Sequence, residues 1–147
     1  ALIYLGETHK SSEVHEQVIR ELEDAGRENR RIEALRQPAM KGKNALFAGD
    51  FSTFGKAMIE NNECQVDLHQ ELISQRARDV IQIAKQHGAL GWKVNGAGGE
   101  GGSVTILCGS SPVTKRAMLN RISELGGGAG HIPTYLSRYG LRVWETQ

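Results

Sequence analysis

Apolar positions fall in short runs and helical stripes separated by charged or glycine-rich stretches. Leu2 to Leu5 is a short apolar run stopped by Gly6, the pattern of a buried strand. Val14, Val18, Ile19 and Leu22 then recur at helical spacing. Thr8, Ser11 or Ser12 can cap that helix, with Glu13 in its positively polarised first turn. Residues 23–31 are densely charged and read as the end of that helix and a solvated turn. Ile32, Leu35 and Ala39 begin a second helical pattern that closes on Ala45, Leu46 and Phe47 before Gly49, with Pro38 placed to kink or interrupt it. A third helix carries Phe54, Ala57 and Met58 after Asp50. Residues 66–73 are amphipathic without declaring a type, whereas residues 76–87 form a clearer helix, with Val80, Ile81 and Ala84 inward and Gly88 at the stop.

The second half alternates differently. Two strand-like runs flank a glycine-rich loop, the second being Val104-Thr105-Ile106-Leu107. Pro112 and Thr114 open a further helix with Ala117, Met118 and Ile122 or Leu125 on one face. Residues 126–130 read as a flexible glycine connection, and residues 132–136 and 140–144 as late extended segments. Mixed elements without regular βαβ alternation predict an α+β domain, an antiparallel sheet covered by helices on one face.

The loop concentrates the candidate chemistry. Gly91 to Gly102 holds six glycines in twelve residues, where a hairpin needs only a two-residue turn. Successive backbone N–H groups in such a loop form an anion-binding concavity, and no Cβ keeps a ligand away. The spacing Gly96-x-Gly98-x-x-Gly101 fits a dinucleotide fingerprint, but that fingerprint opens a helix and here a β-type run follows. No Lys-Ser/Thr pair follows in the manner of a P-loop. A mobile hairpin tip without a ligand is the plain alternative.

Composition narrows the partners. Eighteen Lys and Arg against seventeen Asp and Glu leave a net charge of +1, so charge points to neither nucleic acid nor an anionic membrane. No apolar run approaches the length of a membrane span, and the amino terminus lacks a basic leader. Cys64 and Cys108 sit in unlike contexts and read as two reduced thiols, which places the protein in the cytoplasm. The chain begins without Met, which reads as a piece of a longer protein. His9 and His15 with His69 or Cys64 show no paired ligand spacing, so no metal site is read. Asp50 and Asp67 are available carboxylates, but Asp50 after Gly49 reads as an N-cap rather than a general base. Thr8-His9-Lys10-Ser11-Ser12 opens a helix and offers either an anion-contacting corner or a capped helix with a solvated cation. Lys93 either reaches a phosphate across the loop or snorkels from its strand. Trp92 and Trp144 read as core or interdomain contacts.

The segment Lys93-Val94-Asn95-Gly96-Ala97-Gly98-Gly99-Glu100-Gly101-Gly102 resembles the third motif of the GHMP kinases. Ala45-Leu46-Phe47-Ala48-Gly49-Asp50-Phe51-Ser52-Thr53-Phe54-Gly55-Lys56 and residues 79–91 are similar to the regions preceding that motif in sugar-phosphate members, particularly D-glycero-D-manno-heptose-phosphate kinases. The resemblance implies a ferredoxin-like antiparallel sheet with additional helices, residues 1–147 forming the carboxy-terminal domain of a two-domain kinase. It also implies ATP and Mg²⁺ in the full-length enzyme, none bound tightly by this domain alone, and a sugar or sugar phosphate as acceptor. Gly96, Ala97, Gly98, Gly99 and Gly101 match the loop residues, and His9, Lys10, Ser11 and Lys93 are candidate substrate contacts. Two positions depart from the pattern: Glu100 stands where the family has glycine, and Gly102 where a larger residue is common. The family's main phosphate loop and its catalytic Asp segment find no counterpart here, so catalytic residues are expected in an amino-terminal partner domain and the isolated domain is expected to be inactive. The competing expectation is a stand-alone, non-catalytic α+β module that binds a small anionic metabolite.

Overall fold

A computed structural model describes residues 1–7, 16–20, 22, 30–96, 101–135, 137–140 and 142–145. Its sheet has four strands, β1 Leu2–Tyr4, β2 Gly91–Asn95, β3 Ser103–Leu107 and β4 Gly130–Ile132. Their spatial order is β2-β3-β1-β4, and every neighbouring pair is antiparallel. Between β1 and β2 lie helical residues 16–20 and 22, then α1 Arg30–Phe47, α2 Phe51–Leu68, a 3₁₀ turn at Gln70–Leu72 and α3 Gln75–Gln86. Helix α4, Pro112–Ser123, joins β3 to β4. With helical residues 16–20 and 22, α1, α2 and the 3₁₀ turn set aside, the order is β-α-β-β-α-β, the ferredoxin-like arrangement.

Strand periodicity sets the core. Ile3 pairs with Val104, and Val104 with Val94, so these side chains share one sheet face, with Leu5 and Ile106 two positions along. All five are at most 1% exposed. They meet Val80, Ile81 and Ala84 of α3 and Met118 and Ile122 of α4, as the helical periodicity predicts. The other sheet face carries Tyr4, Lys93, Asn95, Ser103 and Thr105, all half-buried.

Local capping places the helices. Asp50 Oδ1 accepts from Thr53 N at 2.9 Å and its Oδ2 from Thr53 Oγ1 at 2.6 Å, so Asp50 is the N-cap of α2. Gly49, at φ +69°, makes the turn between α1 and α2. Ser74 and Ser111 cap α3 and α4 in the same way, with Pro112 at the start of α4.

Four expectations change. Pro38 does not interrupt α1: it is buried in a stripe with Gly42 and Ala45, and a Cβ at Gly42 would lie 3.6 Å from Ala57 and Phe54 of α2, so helix packing compensates the missing hydrogen bond. The helices do not all cover one face, because α2 runs along the β2 edge, where Asn62 Oδ1 accepts from Val94 N at 3.1 Å. The last strand is Gly130–Ile132 rather than residues 132–136, since its partner β1 ends at Tyr4, opposite Gly130. No strand forms among the described residues of 140–144. Trp92 packs against the core with Lys85 Nζ 5.1 Å from its ring, whereas Trp144 is 77% exposed.

Candidate functional site

The glycine-rich loop leaves β2 at Gly96 and enters β3 after Gly102, closing a hairpin whose last pair is Asn95↔Ser103. Gly96 has φ +66° and Gly102 φ +85°, the left-handed region that glycine enters without a Cβ clash. That conformation accounts for glycine at position 102, where the resemblance expects a larger residue.

Side chains and backbone fix the base of this loop. Gln65 Nε2 of α2 donates to Gly96 O at 3.0 Å. On the returning limb, Leu5 N donates to Gly102 O at 3.0 Å and Gly102 N to Glu7 O at 3.4 Å. Across the mouth, Asn95 Nδ2 donates to Ser103 Oγ and Thr105 Oγ1 to Asn95 Oδ1, each at 3.0 Å. The loop therefore springs from a frame stitched to β1, α2 and β3.

Lys93 is the cation of this frame. Its Nζ donates to Gln65 Oε1 at 2.9 Å and to Val94 O at 3.3 Å. An ammonium only donates, so it fixes the Gln65 amide with its oxygen toward Lys93 and its nitrogen toward Gly96. No carboxylate among the described residues pairs with Lys93, and burial pushes its pKa below the ordinary value.

Of the candidate residues read from the sequence, Lys93, Gly96 and Gly101 are placed at the loop base, Gly101 buried. Ala97, Gly98, Gly99 and Glu100 lie outside the described residues, as do His9, Lys10 and Ser11. Sequence reasoning missed Asn62 and Gln65, which are 7% and 9% exposed. Their signal was positional. Gly55, Met58, Asn62 and Gln65 follow at helical spacing on the buried side of α2, so two amides stand where apolar side chains are the rule.

Among the described residues, no group of three His, Cys, Asp or Glu side chains could hold a metal ion. Among the same residues, no helix is long and apolar enough to cross a membrane. The frame offers glycine backbone, amide and hydroxyl groups and one unpaired ammonium, which suits an anion or a polyol.

The family GHMP kinases, C terminal, matches residues 32–128. Among solved structures, mevalonate kinase from L. major, crystallised in complex with R-mevalonate, is similar to this chain with a TM-score of 0.69 and 20% identity. The likeness covers 84% of this chain and 37% of that one, so this chain spans well under half the length of the structure it matches. No curated protein sequence matches it.

Proposed function

The chain belongs to the GHMP kinase family as a C-terminal domain, and from that premise we propose that it forms one wall of the active site of an ATP-dependent small-molecule kinase. The observation that carries this reading is the glycine-rich loop rising from a frame that Gln65, Leu5 and Asn95 hold in place. Loop glycines with a fixed base present backbone N–H groups to phosphate oxygens without reorganising at the moment of transfer. In this proposal Gly96, Ala97, Gly98, Gly99 and Gly101 face the phosphates and acceptor, and His9, Lys10 and Ser11 contact the substrate. Lys93 acts as a positioning residue, holding Gln65 and through it Gly96.

The reaction moves the γ-phosphoryl group of ATP to an acceptor hydroxyl. The new O–P bond forms as the bond to ADP breaks, and the hydroxyl proton goes to a base outside this domain. An amino-terminal domain of the same protein supplies the nucleotide site, the Mg²⁺ ligands and that base. Bound Mg²⁺ neutralises charge on the phosphates. The acceptor is a sugar or sugar phosphate of the heptose-phosphate type, on the likeness of residues 45–56 and 79–91. A hydroxy acid is the second reading, favoured by the R-mevalonate in the similar kinase structure. We place the protein in the cytoplasm, where ATP and such acceptors are available.

ADP release by the full-length protein, assayed with heptose phosphate, galactose and R-mevalonate, tests the reading. Turnover with heptose phosphate and none by residues 1–147 alone are expected. Tight binding of heptose phosphate by residues 1–147, with no turnover in any longer form, would replace the kinase reading with the non-catalytic module.

A further inference from the structure

Two open grooves flank the α1–α2 pair. The larger, about 450 Å³, has walls from Pro38 and Leu46 of α1 and Phe54 and Met58 of α2, with Lys93 and Thr105 of the sheet at its floor. The second, about 350 Å³, has Leu35, Leu68 and Leu72 in its wall and also reaches Lys93. Asn61 and Lys93 line both grooves, and the Lys93 ammonium is held by Gln65, which lines the smaller one. Both volumes are in the range of sites that enclose small organic ligands.

Charge distinguishes this junction from an ordinary packing gap. Among the described residues no carboxylate lines either groove, while Lys43 adds a second cation to the larger one. Lys41, on the same helix as Lys43, is neutralised by Glu60, whereas among the described residues Lys93 has only the neutral oxygens of Gln65 and Val94. Two of its three N–H groups are used, and the third has no acceptor among the described residues. A half-buried ammonium facing apolar walls is stabilised by an anion that brings its own apolar surface.

We propose that this junction binds an amphipathic anion, with an alkyl or acyl chain lying in the groove beside the α1–α2 pair and a carboxylate or phosphate head on Lys93. The site is built by this domain alone and requires neither nucleotide nor a second domain. Asn61, whose Nδ2 donates one N–H to Leu35 O at 3.2 Å, keeps its second N–H for the head, and the exposed residues Ala39 and Leu46 border the mouth.

Calorimetric titration of residues 1–147 with decanoate and with decyl phosphate tests the proposal, each probe kept below its aggregation concentration. Saturable one-to-one binding is expected, with decanol at least about tenfold weaker, the scale of a hydrogen bond to a charged group. Whichever anion binds more tightly identifies the head group, carboxylate or phosphate. Lys93→Met should weaken both anions by about tenfold and leave decanol unchanged. Ala39→Trp, which fills the mouth from an exposed position, should abolish binding of all three while keeping the urea midpoint. The proposal is overturned by unsaturable binding, by equal affinity for decanol and decanoate, or by a Lys93→Met protein that binds like wild type. Because ATP is absent throughout, any of these results leaves the kinase reading standing, and a failed kinase assay leaves this site untouched.

Discussion

Gly55 of α2 and Gly91 of β2 meet backbone to backbone. A Cβ at Gly55 would lie 2.1 Å from Leu90 O, and one at Gly91 would lie 2.5 Å from Gly55 Cα. This contact brings α2 close enough to the β2 edge for Asn62 and Gln65 to reach Val94 and Gly96. The position of the loop base thus depends on two missing methyl groups.

Gly55→Ala is therefore expected to destabilise the fold by about 1–3 kcal/mol, because the clash is with backbone that cannot rotate away. Gly42→Ala, in α1, should do the opposite. Its new methyl would make ordinary contact at 3.6 Å, and replacing a helical glycine by alanine gains about 0.5–1 kcal/mol. Urea unfolding of the two variants checks the sign directly. Equal effects would show that helix propensity, not the close approach, governs position 55.

Removing the Asn62 amide should cost about 1–3 kcal/mol, the penalty of a buried donor left without its acceptor. The donor is Val94 N on an edge strand, where no neighbouring strand can replace Asn62. Asn62→Ala should also speed hydrogen exchange at Val94 more than at Val104, which lies inside the sheet. Unchanged exchange at Val94 would remove Asn62 from the frame.

Elements governed by short-range chemistry were legible in the chain. Asp50 as N-cap, Gly88 as the α3 stop and the inward stripe of Val80, Ile81 and Ala84 all follow from neighbours within a turn or two. The ends of the glycine loop were legible too, from composition. What escaped depends on distant partners. Residues 126–130 read as a flexible connection, yet a Cβ at Gly6 would lie 2.0 Å from Gly127 O, and Arg76 donates to Gly126 O at 2.6 Å. Gly6 has no room for a Cβ there and one at Gly128 would lie 3.2 Å from Gly6 Cα, a close approach just beyond β1 that nothing local announces. Gln65 and Asn62 were hidden for a related reason. A polar side chain in an amphipathic helix reads as solvated until the edge strand it serves is in view.

Acid should loosen the α1–α2 turn through Asp50. The side-chain and backbone hydrogen bonds from Thr53 hold its pKa below the ordinary 3.8. A carboxylate depressed in the folded state contributes stability that is present above 3.8 and lost as pH falls through the lowered value. Asp50→Asn keeps an acceptor for Thr53 N but does not titrate. Its stability relative to wild type should therefore improve on acidification, read as the difference between urea midpoints. A constant difference would mean that the cap does not titrate in this window.

Lys93 should act at the other end of the pH scale and with the opposite protonation logic. Burial lowers its folded-state pKa below the ordinary 10.5. At lower pH both states carry the proton, and the folded state bears the cost of a half-buried charge. Between the lowered value and 10.5 the unfolded chain still holds the proton that the folded chain has released, so stability rises with pH across that window. The difference between wild type and Lys93→Met isolates the contribution of this residue. Wild type should gain on the variant as pH approaches 10.5. An amphipathic anion on Lys93 would restore the charge's partner and push the start of that gain to higher pH. If the difference stays flat with and without decanoate, Lys93 is neither desolvated nor the anchor of the groove.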